Sequence, residues 1–449
     1  MATIGELRGS AESRALTSSY VDAVIAHMQQ ALKPQGHDTA IASNTAELVD
    51  TIRALEKLVC VATAAQAALT GQLDEAERER QAAAGVPQAR QGRGVASLVG
   101  FARRESPNAG HKHLGLAKVV ATEMPHTWAA WQAGVITEWK ATLIARETAC
   151  LDLELRQQID ELVAGDQAKL EGIGPRELVG QIVGHAARLD PAAVTARRRY
   201  AERERNVSLR PAPDSMTWLT ALLPVAAGVA TYAALTQVAA TAKSAGDQRS
   251  RGQIMADTLV ERTTGHEPVA IPVQINLVVT DRALFSLPGE GDPCSIGGFG
   301  PVPNGLAREL IQRAGERNQR TWLRRLYANP TSGDLVAMDS TSRLFPAAMA
   351  RFVRIRDQIC RTPWCEAPIR QIDHVQPYAE GGPTSLTNAQ GLCEACNRAK
   401  QAHGWRARPG PDGSVITYLP TGHRTVSGPY KVITASGIIE VRLDYDDSA

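Results

Sequence analysis

The chain has 449 residues, 43% apolar and 21% charged, with aromatics at only 4% and a formal net charge of +2. That length suggests about three domains, with cores built on Ala, Leu and Val. The near-neutral balance excludes a global basic field of the kind that coats nucleic acid. The opening MATIGELRGSAESR carries charges and no apolar run, so no secretory leader is expected and the thiols are expected to sit reduced in the cytoplasm.

From about Ala11 to Gln81, apolar residues recur at three- and four-residue spacings, which predicts helix. Asn44-Thr45 offers an N-cap inside this stretch. The Gly/Pro/Arg break AAAGVPQARQGRG follows. A second helical block is expected from about Val95 to Arg188, broken at ESPNAGHK, EMPHT and GIGP, with a tight turn at Gly134. His111 and His113 form an HxH with no Cys or carboxylate cluster beside them in sequence, so no metal site is expected there. The run Arg197-Arg198-Arg199, with Arg203 and Arg205, is offset by Glu202 and Glu204 and reads as a solvated helix face. Met216–Ala242 lacks any charge and is long enough to span a bilayer. Thr, Gly228 and Gln237 dilute it, and Pro224 splits it into an alternating strand and an Ala-rich helix. The expectation is a strand feeding a buried helix, with no membrane span. VSLR, MTWLTALL and PVQINLVVT are then strands of a small mixed sheet, and GEGDPCSIGGFGPVPNG is a loop. A short strand and a basic helix within AMDSTSRLFPAAMARFVRIRDQIC lead on, and VITYLPTGHRTV and YKVITASGIIEVRL read as tail hairpins.

The most informative segment lies just before that tail. Cys360 and Cys365, in CRTPWC, and Cys393 and Cys396, in CEAC, bracket QIDHVQPYAEGGPTSLTNAQGL. Two close thiolate pairs suit a tetrahedral structural Zn2+, and in a reduced compartment paired cysteines read as metal ligands rather than disulfides. Such a staple lets a short segment fold on little core and display its polar residues. Cys60, Cys150 and Cys294 stand singly and read as small buried hydrophobes. IDHV reads as a strand, GGPTS as a turn, and CEACNRAKQAH as a helix starting at the second pair. From Arg351 to Arg408 nine Lys/Arg face five Asp/Glu, an excess of +4, which is a modest phosphate-facing bias.

This frame resembles the HNH endonuclease family, over about Arg351 to Trp405. The order is Cys360-Cys365, Asp373-His374, Gly381-Gly382, Asn388, Cys393-Cys396, Asn397 and Lys400. The upstream stretches GVITEWKATLIARET, SLRPAPDSMTWLTALLP, GQIMADTLVERTTG and GFGPVPNGLARELI resemble the helical region of unknown function in the actinobacterial thirteen-E-twelve repeat family. The resemblance implies a ββα-metal fold and hydrolysis of DNA. It makes His374 the general base, Asp373 and Asn397 the ligands of a catalytic Mg2+ or Mn2+, and Asn388 the residue that fixes the loop. Arg398 and Lys400 become phosphate contacts. Asn397 departs from the His often found there, and its hard oxygen favours Mg2+ or Mn2+. The rival reading is a non-catalytic zinc module that binds nucleic acid on a helical scaffold. The expected fold class is α+β: a mostly helical N-terminal region with a small mixed sheet, a zinc-stapled ββα-metal module and a β-hairpin tail. The expected divisions are a helical lead at 1–40, a helical α+β domain at 41–345, the nuclease module at 346–410 and the tail at 411–449. Oligomeric state is left open.

Overall fold

The computed structural model describes residues 16–31, 45–266, 277–278, 294–296, 300–316, 344–428, 432–434 and 437–439. The chain forms two compact units, Met1–Leu58 and Val59–Ala449. The first holds α1 (Ser18–Ala31) and the opening turns of α2 (Thr45–Ala83), whose Leu48, Val49, Ile52 and Leu55 are exposed. The expected cap at Asn44 lies outside the described residues.

The second unit is built on helices. After the rest of α2 come α3 (Val95–Arg103), α4 (Pro107–Glu123), α5 (Pro125–Gln132), α6 (Glu138–Glu147) and α7 (Leu153–Ala164). They are followed by α8 (Gln167–Gly172), α9 (Pro175–Leu189) and α10 (Pro191–Arg203). Their starts are written in the sequence. Ser106, Thr137, Asp152, Asp166 and Asp190 each accept a backbone N–H of the first turn, and such a cap contributes ~1 kcal/mol. The core joins Met124, Trp131, Ile144, Ile159, Leu170, Leu178 and Ile182 with the small residues Ala64 and Ala67 of α2. The Trp131 indole donates to the Thr63 hydroxyl at 3.0 Å. Buried Asp160 accepts the backbone N–H groups of His126 and Thr127 at 2.7 and 3.0 Å, an anion set at the positive end of α5. The Gly134 turn forms as expected, with φ 74°. The ESPNAGHK break is shorter than expected, because Pro107 starts α4 at a position that needs no N–H. No residue of α10 is buried; Arg197 bonds the Glu147 carbonyl and Arg198 pairs with Glu202. The arginine run is thus largely a solvated face.

Three expectations for the middle of the chain need correction. β1 (Asn206–Ala212) and β2 (Met216–Leu222) pair in an antiparallel hairpin, Asn206 opposite Leu222. β3 (Leu277–Val278), β4 (Cys294–Ile296) and β5 (Gly300–Val302) form a second antiparallel sheet, with β4 and β5 inside the expected loop. Every pairing is antiparallel, so no mixed sheet occurs among the described residues. Pro224 caps α11 (Val225–Ser244), as expected, but only Ala239 of that helix is buried. Val225, Val229 and Tyr232 are exposed, as are Val207 and Trp218 of the hairpin. An Ala-rich helix, apolar on every side, carries no periodic stripe that says which face is covered. By length and composition α11 could cross a bilayer. α12 (Arg251–Thr264) follows with a capping box at Ser250 and Gln253, and α13 (Asn304–Glu316) follows β5. The strand expected in AMDSTSRL lies outside the described residues.

The final segment is α14 (Ala347–Asp357), β6 (Gln371–His374), β7 (Ala389–Leu392) and α15 (Glu394–Lys400). β8 (Arg406–Pro409), β9 (Val415–Tyr418) and β10 (Arg424–Ser427) form an antiparallel sheet in the order β10-β9-β8, and β11 (Val432–Thr434) pairs with β12 (Gly437–Ile439). Both tail hairpins form as the sequence predicts. β8, in RARP, escapes pattern reading because its apolar residues do not alternate over enough length.

One cluster stitches α3, α4 and α6 together. The His113 imidazole lies between two carboxylates, Nδ1 at 2.6 Å from Glu138 and Nε2 at 2.7 Å from Glu105. Arg103 adds a contact to Glu138 at 3.0 Å. The carboxylates absent beside the HxH in sequence therefore arrive from other elements, and they form an ion-pair chain. The bond to Glu138 holds His113 above its usual range, against burial and with help from Glu105. Burial pushes Glu138 up, but His113 and Arg103 outweigh it and hold its carboxyl low. A raised imidazole pKa stabilises the fold fully below the unfolded value of about 6.5 and loses that effect as pH rises through the folded value. His113→Gln is expected to lower Tm more at pH 6 than at pH 9, read by thermal denaturation at both; an equal loss at the two would contradict the ion-pair account.

Candidate metal centre and hydrolytic site

The four cysteines meet. The Sγ atoms of Cys360, Cys365, Cys393 and Cys396 all lie within 4.8 Å of one another. Cys365–Cys393 and Cys365–Cys396 are 3.6 and 3.5 Å apart. A tetrahedron of Zn–S bonds of about 2.3 Å has edges of about 3.8 Å, so the sulfur spacing fits a zinc ion. The first pair sits on a tight knuckle: Cys360 N–H donates to Ala367 at 2.8 Å and Cys365 N–H to Thr362 at 3.1 Å. The second opens α15, with Cys393 as N-cap accepting from Cys396 N–H. A helix start stabilises thiolate charge. Contacts from Cys365 and Cys396 hold Cys360 well below the usual thiol range, while the contact with Cys360 pushes Cys365 and Cys396 up. All four can be thiolates together only with a cation among them.

Between the pairs, β6 and β7 form a hairpin in which Asp373 faces Gln390 and His374 faces Ala389. α15 follows at once, completing the ββα arrangement. Asp373 and His374 differ in burial, as strand alternation requires. His374 is 7% exposed, and its Nε2 lies 2.9 Å from Thr384 Oγ1. The Phe345 ring covers it with centroids 4.4 Å apart, and Tyr378 lies at 5.7 Å. Asn388 closes the connecting loop. Its Oδ1 accepts from Gln376 N–H at 2.8 Å, and its Nδ2 donates to Pro383 and Gln376 carbonyls at 2.8 and 3.1 Å. The glycine pair is forced by this closure. Gly381 has φ 81°, and a Cβ on Gly382 would meet Gln376 O at 2.1 Å.

Asn397, Arg398 and Lys400 take different places. The Asn397 amide donates to Gln371, while its Oδ1 is buried without a hydrogen-bond partner. Lys400, expected at a phosphate, turns inward: its ammonium bonds the Asp373 carboxylate at 2.5 Å and the His374 carbonyl. An ammonium at a partly buried carboxylate gains more there than in water. Arg398 stays on the surface, paired with Glu394 and 77% exposed. His403 is exposed. The donor set fits a hard divalent ion: Asp373 offers a carboxylate, and Asn397 Oδ1 is an orphaned acceptor that a cation would satisfy.

Two supports escaped pattern reading. The first is a buried ion triad. Asp357 bonds Arg356 Nε at 2.6 Å, Arg361 Nη1 at 2.9 Å and Gly391 N–H at 2.7 Å. Arg356 also holds the carbonyls of Leu386 and Ala389, on either side of Asn388, and Arg361 holds those of Gly413 and Ser427. One carboxylate thus ties α14, the first knuckle, β7 and the tail sheet. The second support is α3. Its Phe101 ring lies 5.9 Å from Trp364 in the knuckle and 5.7 Å from Trp405 beyond α15. Gly94, at the N-cap of α3 with φ 90°, leaves room for the Trp405 indole, whose Nε1 a Cβ would meet at 2.6 Å. Only the RD and aromatic residues themselves were visible in sequence; their partners are distant along the chain.

Comparison with known families decides the relationship. The family described as Domain of unknown function (DUF222) matches residues 52–357, and HNH endonuclease matches residues 358–403. The chain belongs to the DUF222 family and carries an HNH endonuclease domain after it. It is similar to "Uncharacterized protein Rv3776" of Mycobacterium tuberculosis (strain ATCC 25618 / H37Rv), 39% identical over 138 residues, 30% of this chain and 24% of that protein. It is 36% identical over 136 residues to "Uncharacterized protein MT2160" of Mycobacterium tuberculosis (strain CDC 1551 / Oshkosh), 29% of this chain and 22% of that one. "Uncharacterized protein Rv2100" of the H37Rv strain matches with the same figures. These matches cover less than a quarter of the length of the curated relatives. No solved structure matches the chain. The HNH module of this DUF222 protein is therefore a nuclease-family, metal-binding module, and its structure begins before residue 358, since the Asp357 triad and α3 both build it.

Two outcomes follow from this geometry. Structural zinc in small domains supplies about 10–16 kcal/mol of apparent binding energy, so Cys393→Ser is expected to release the metal and unfold the hairpin and α15, while the helical core of Trp131 and Ile159 persists. Elemental analysis and proteolysis of the variant would show this; no zinc in reduced, unchelated parent protein would refute it. Asp357→Ala leaves two buried guanidinium groups uncompensated, which costs about 3–5 kcal/mol. Denaturant unfolding of that variant is expected to show the loss even with zinc saturating.

Proposed function

We propose that the protein is a metal-dependent endonuclease that hydrolyses phosphodiester bonds in DNA. What supports this reading is that Asp373, His374, Asn388 and Asn397 all lie on one ββα module framed by the four cysteines and matched by the HNH endonuclease family. A module that only bound nucleic acid would not need this set together.

In this reading the Cys360, Cys365, Cys393 and Cys396 thiolates hold structural Zn2+. Asp373 and Asn397 hold Mg2+ or Mn2+, which would neutralise charge on the scissile phosphate and stabilise the leaving oxygen. His374 accepts the proton of the attacking water, since a neutral imidazole is the side chain best suited to that near pH 7. Asn388 holds the loop from Gln376 to Pro383 closed around it. Lys400 orients the Asp373 carboxylate rather than reaching a phosphate, and exposed Arg398 remains as the phosphate contact on α15. The upstream helices hold the module and present it to a partner or substrate. A reducing cytoplasm, where the thiols stay available to zinc, is the compartment this chemistry fits.

The test is plasmid cleavage by full-length protein with added Mg2+ or Mn2+. His374→Ala is expected to lower the rate about 10²–10⁴-fold with zinc content and DNA affinity kept. Asp373→Ala is expected to raise the metal concentration needed for activity. Parent-like cleavage by His374→Ala, in protein freed of contaminating nuclease, would refute the mechanism and leave the binding module as the better account.

A further inference from the structure

Thr384 follows directly on the Gly381-Gly382-Pro383 turn and is only 2% exposed. A buried hydroxyl left without a partner keeps the full penalty of its lost hydration. Here the hydroxyl meets the His374 imidazole, Oγ1 to Nε2, at 2.9 Å. The loop that carries it is held at the preceding residue, because Asn388 Nδ2 donates to the Pro383 carbonyl at 2.8 Å. Ser385, the following residue, accepts Asn388 N–H at 3.3 Å. Asn388 therefore grips the loop on both sides of Thr384. The second torsion of a His side chain is broad and roughly two-fold, so rotamer preference alone leaves the imidazole free to flip. Phe345 and Tyr378 restrict its tilt, but two ring faces cannot tell one nitrogen from the other. A hydrogen bond at one ring nitrogen does.

We propose that Thr384 is a positioning residue for hydrolysis: its hydroxyl sets the rotation of the His374 imidazole through Nε2 and passes to it the order that Asn388 imposes on the loop. The inference rests on His374 acting as the base. It assigns Asn388 an indirect route to the reaction, through Pro383 and Thr384. It also accounts for a buried hydroxyl at a position where a valine of the same shape would otherwise pack.

The experiment uses full-length Thr384→Val, Thr384→Ala and Thr384→Ser. Misplacing a catalytic group by about 1 Å can cost 10²-fold, so kcat for DNA cleavage is expected to fall roughly 10–100-fold in Val and Ala. KM and zinc content are expected to hold, and Ser, which keeps the hydroxyl, is expected to recover most of the rate. An independent readout is the 15N ring resonances of His374, assigned by their loss in His374→Ala. They are expected to move in Val and Ala and to stay in Ser. If the parent protein does not cleave DNA yet these resonances move as stated, the hydrolase reading fails while the positioning of the ring by Thr384 stands. Unmoved resonances with parent-like kcat in both Val and Ala would overturn the proposal. A Ser variant as impaired as Val would also overturn it, since packing of the methyl would then be the cause. Should Val prove too crowded to fold, Ala carries the same comparison.

Discussion

The Asp357 carboxylate is the contact on which the nuclease module most depends. It is fully buried between Arg356 and Arg361 and also takes the Gly391 N–H. The two guanidinium groups also donate to carbonyls of β7, its preceding loop and the tail, while Arg361 Nε is buried without a hydrogen-bond partner. A buried charge of this kind is stable only when its partners are all in place. Correct assembly of α14, the first cysteine knuckle, β7 and the tail is therefore a single event. The sulfur cluster fixes the other end of the hairpin. Together they hold a four-residue strand pair that would be marginal on its own.

This places the two family matches in physical perspective. The boundary between them falls at residues 357 and 358, through the middle of the triad. The upstream helices and the module are one compact unit, and their contact includes Phe101 against two tryptophans. The polar residues at the hairpin form a layered arrangement. Asn388 closes the loop, Thr384 meets the imidazole, and Lys400 spans the Asp373 side chain and the His374 backbone.

The parts legible in the sequence are those whose geometry is local. Paired cysteines at short spacing, a glycine pair between two arms, and Pro or Ser before a helical stripe each dictate structure over a few residues, and the knuckles, the hairpin and the helix starts follow. Contacts that depend on distant partners were not legible. Nothing beside His113 names Glu105 or Glu138, and nothing beside Lys400 says that it turns inward to Asp373 rather than outward to a phosphate. The Ala-rich helix after Pro224 was expected to be buried because it is apolar, yet uniform apolarity carries no information about which neighbour covers it. The β-strands inside the Gly/Pro-rich stretch around Cys294 were hidden because their turn residues outnumber their alternating ones.

The docking of α3 bears on how such proteins diversify. Trp405 fits its neighbour only because Gly94 lacks a side chain, and Trp364 and Trp405 both pack against Phe101. A nuclease module transplanted by recombination into another helical host would arrive with two indoles and no matching aromatic. The unit that seats the module is thus larger than the cysteine-framed segment. It includes a helix some 250 residues earlier in the chain, and lineages that exchange the module are expected to carry that helix with it or to reinvent its Gly and Phe.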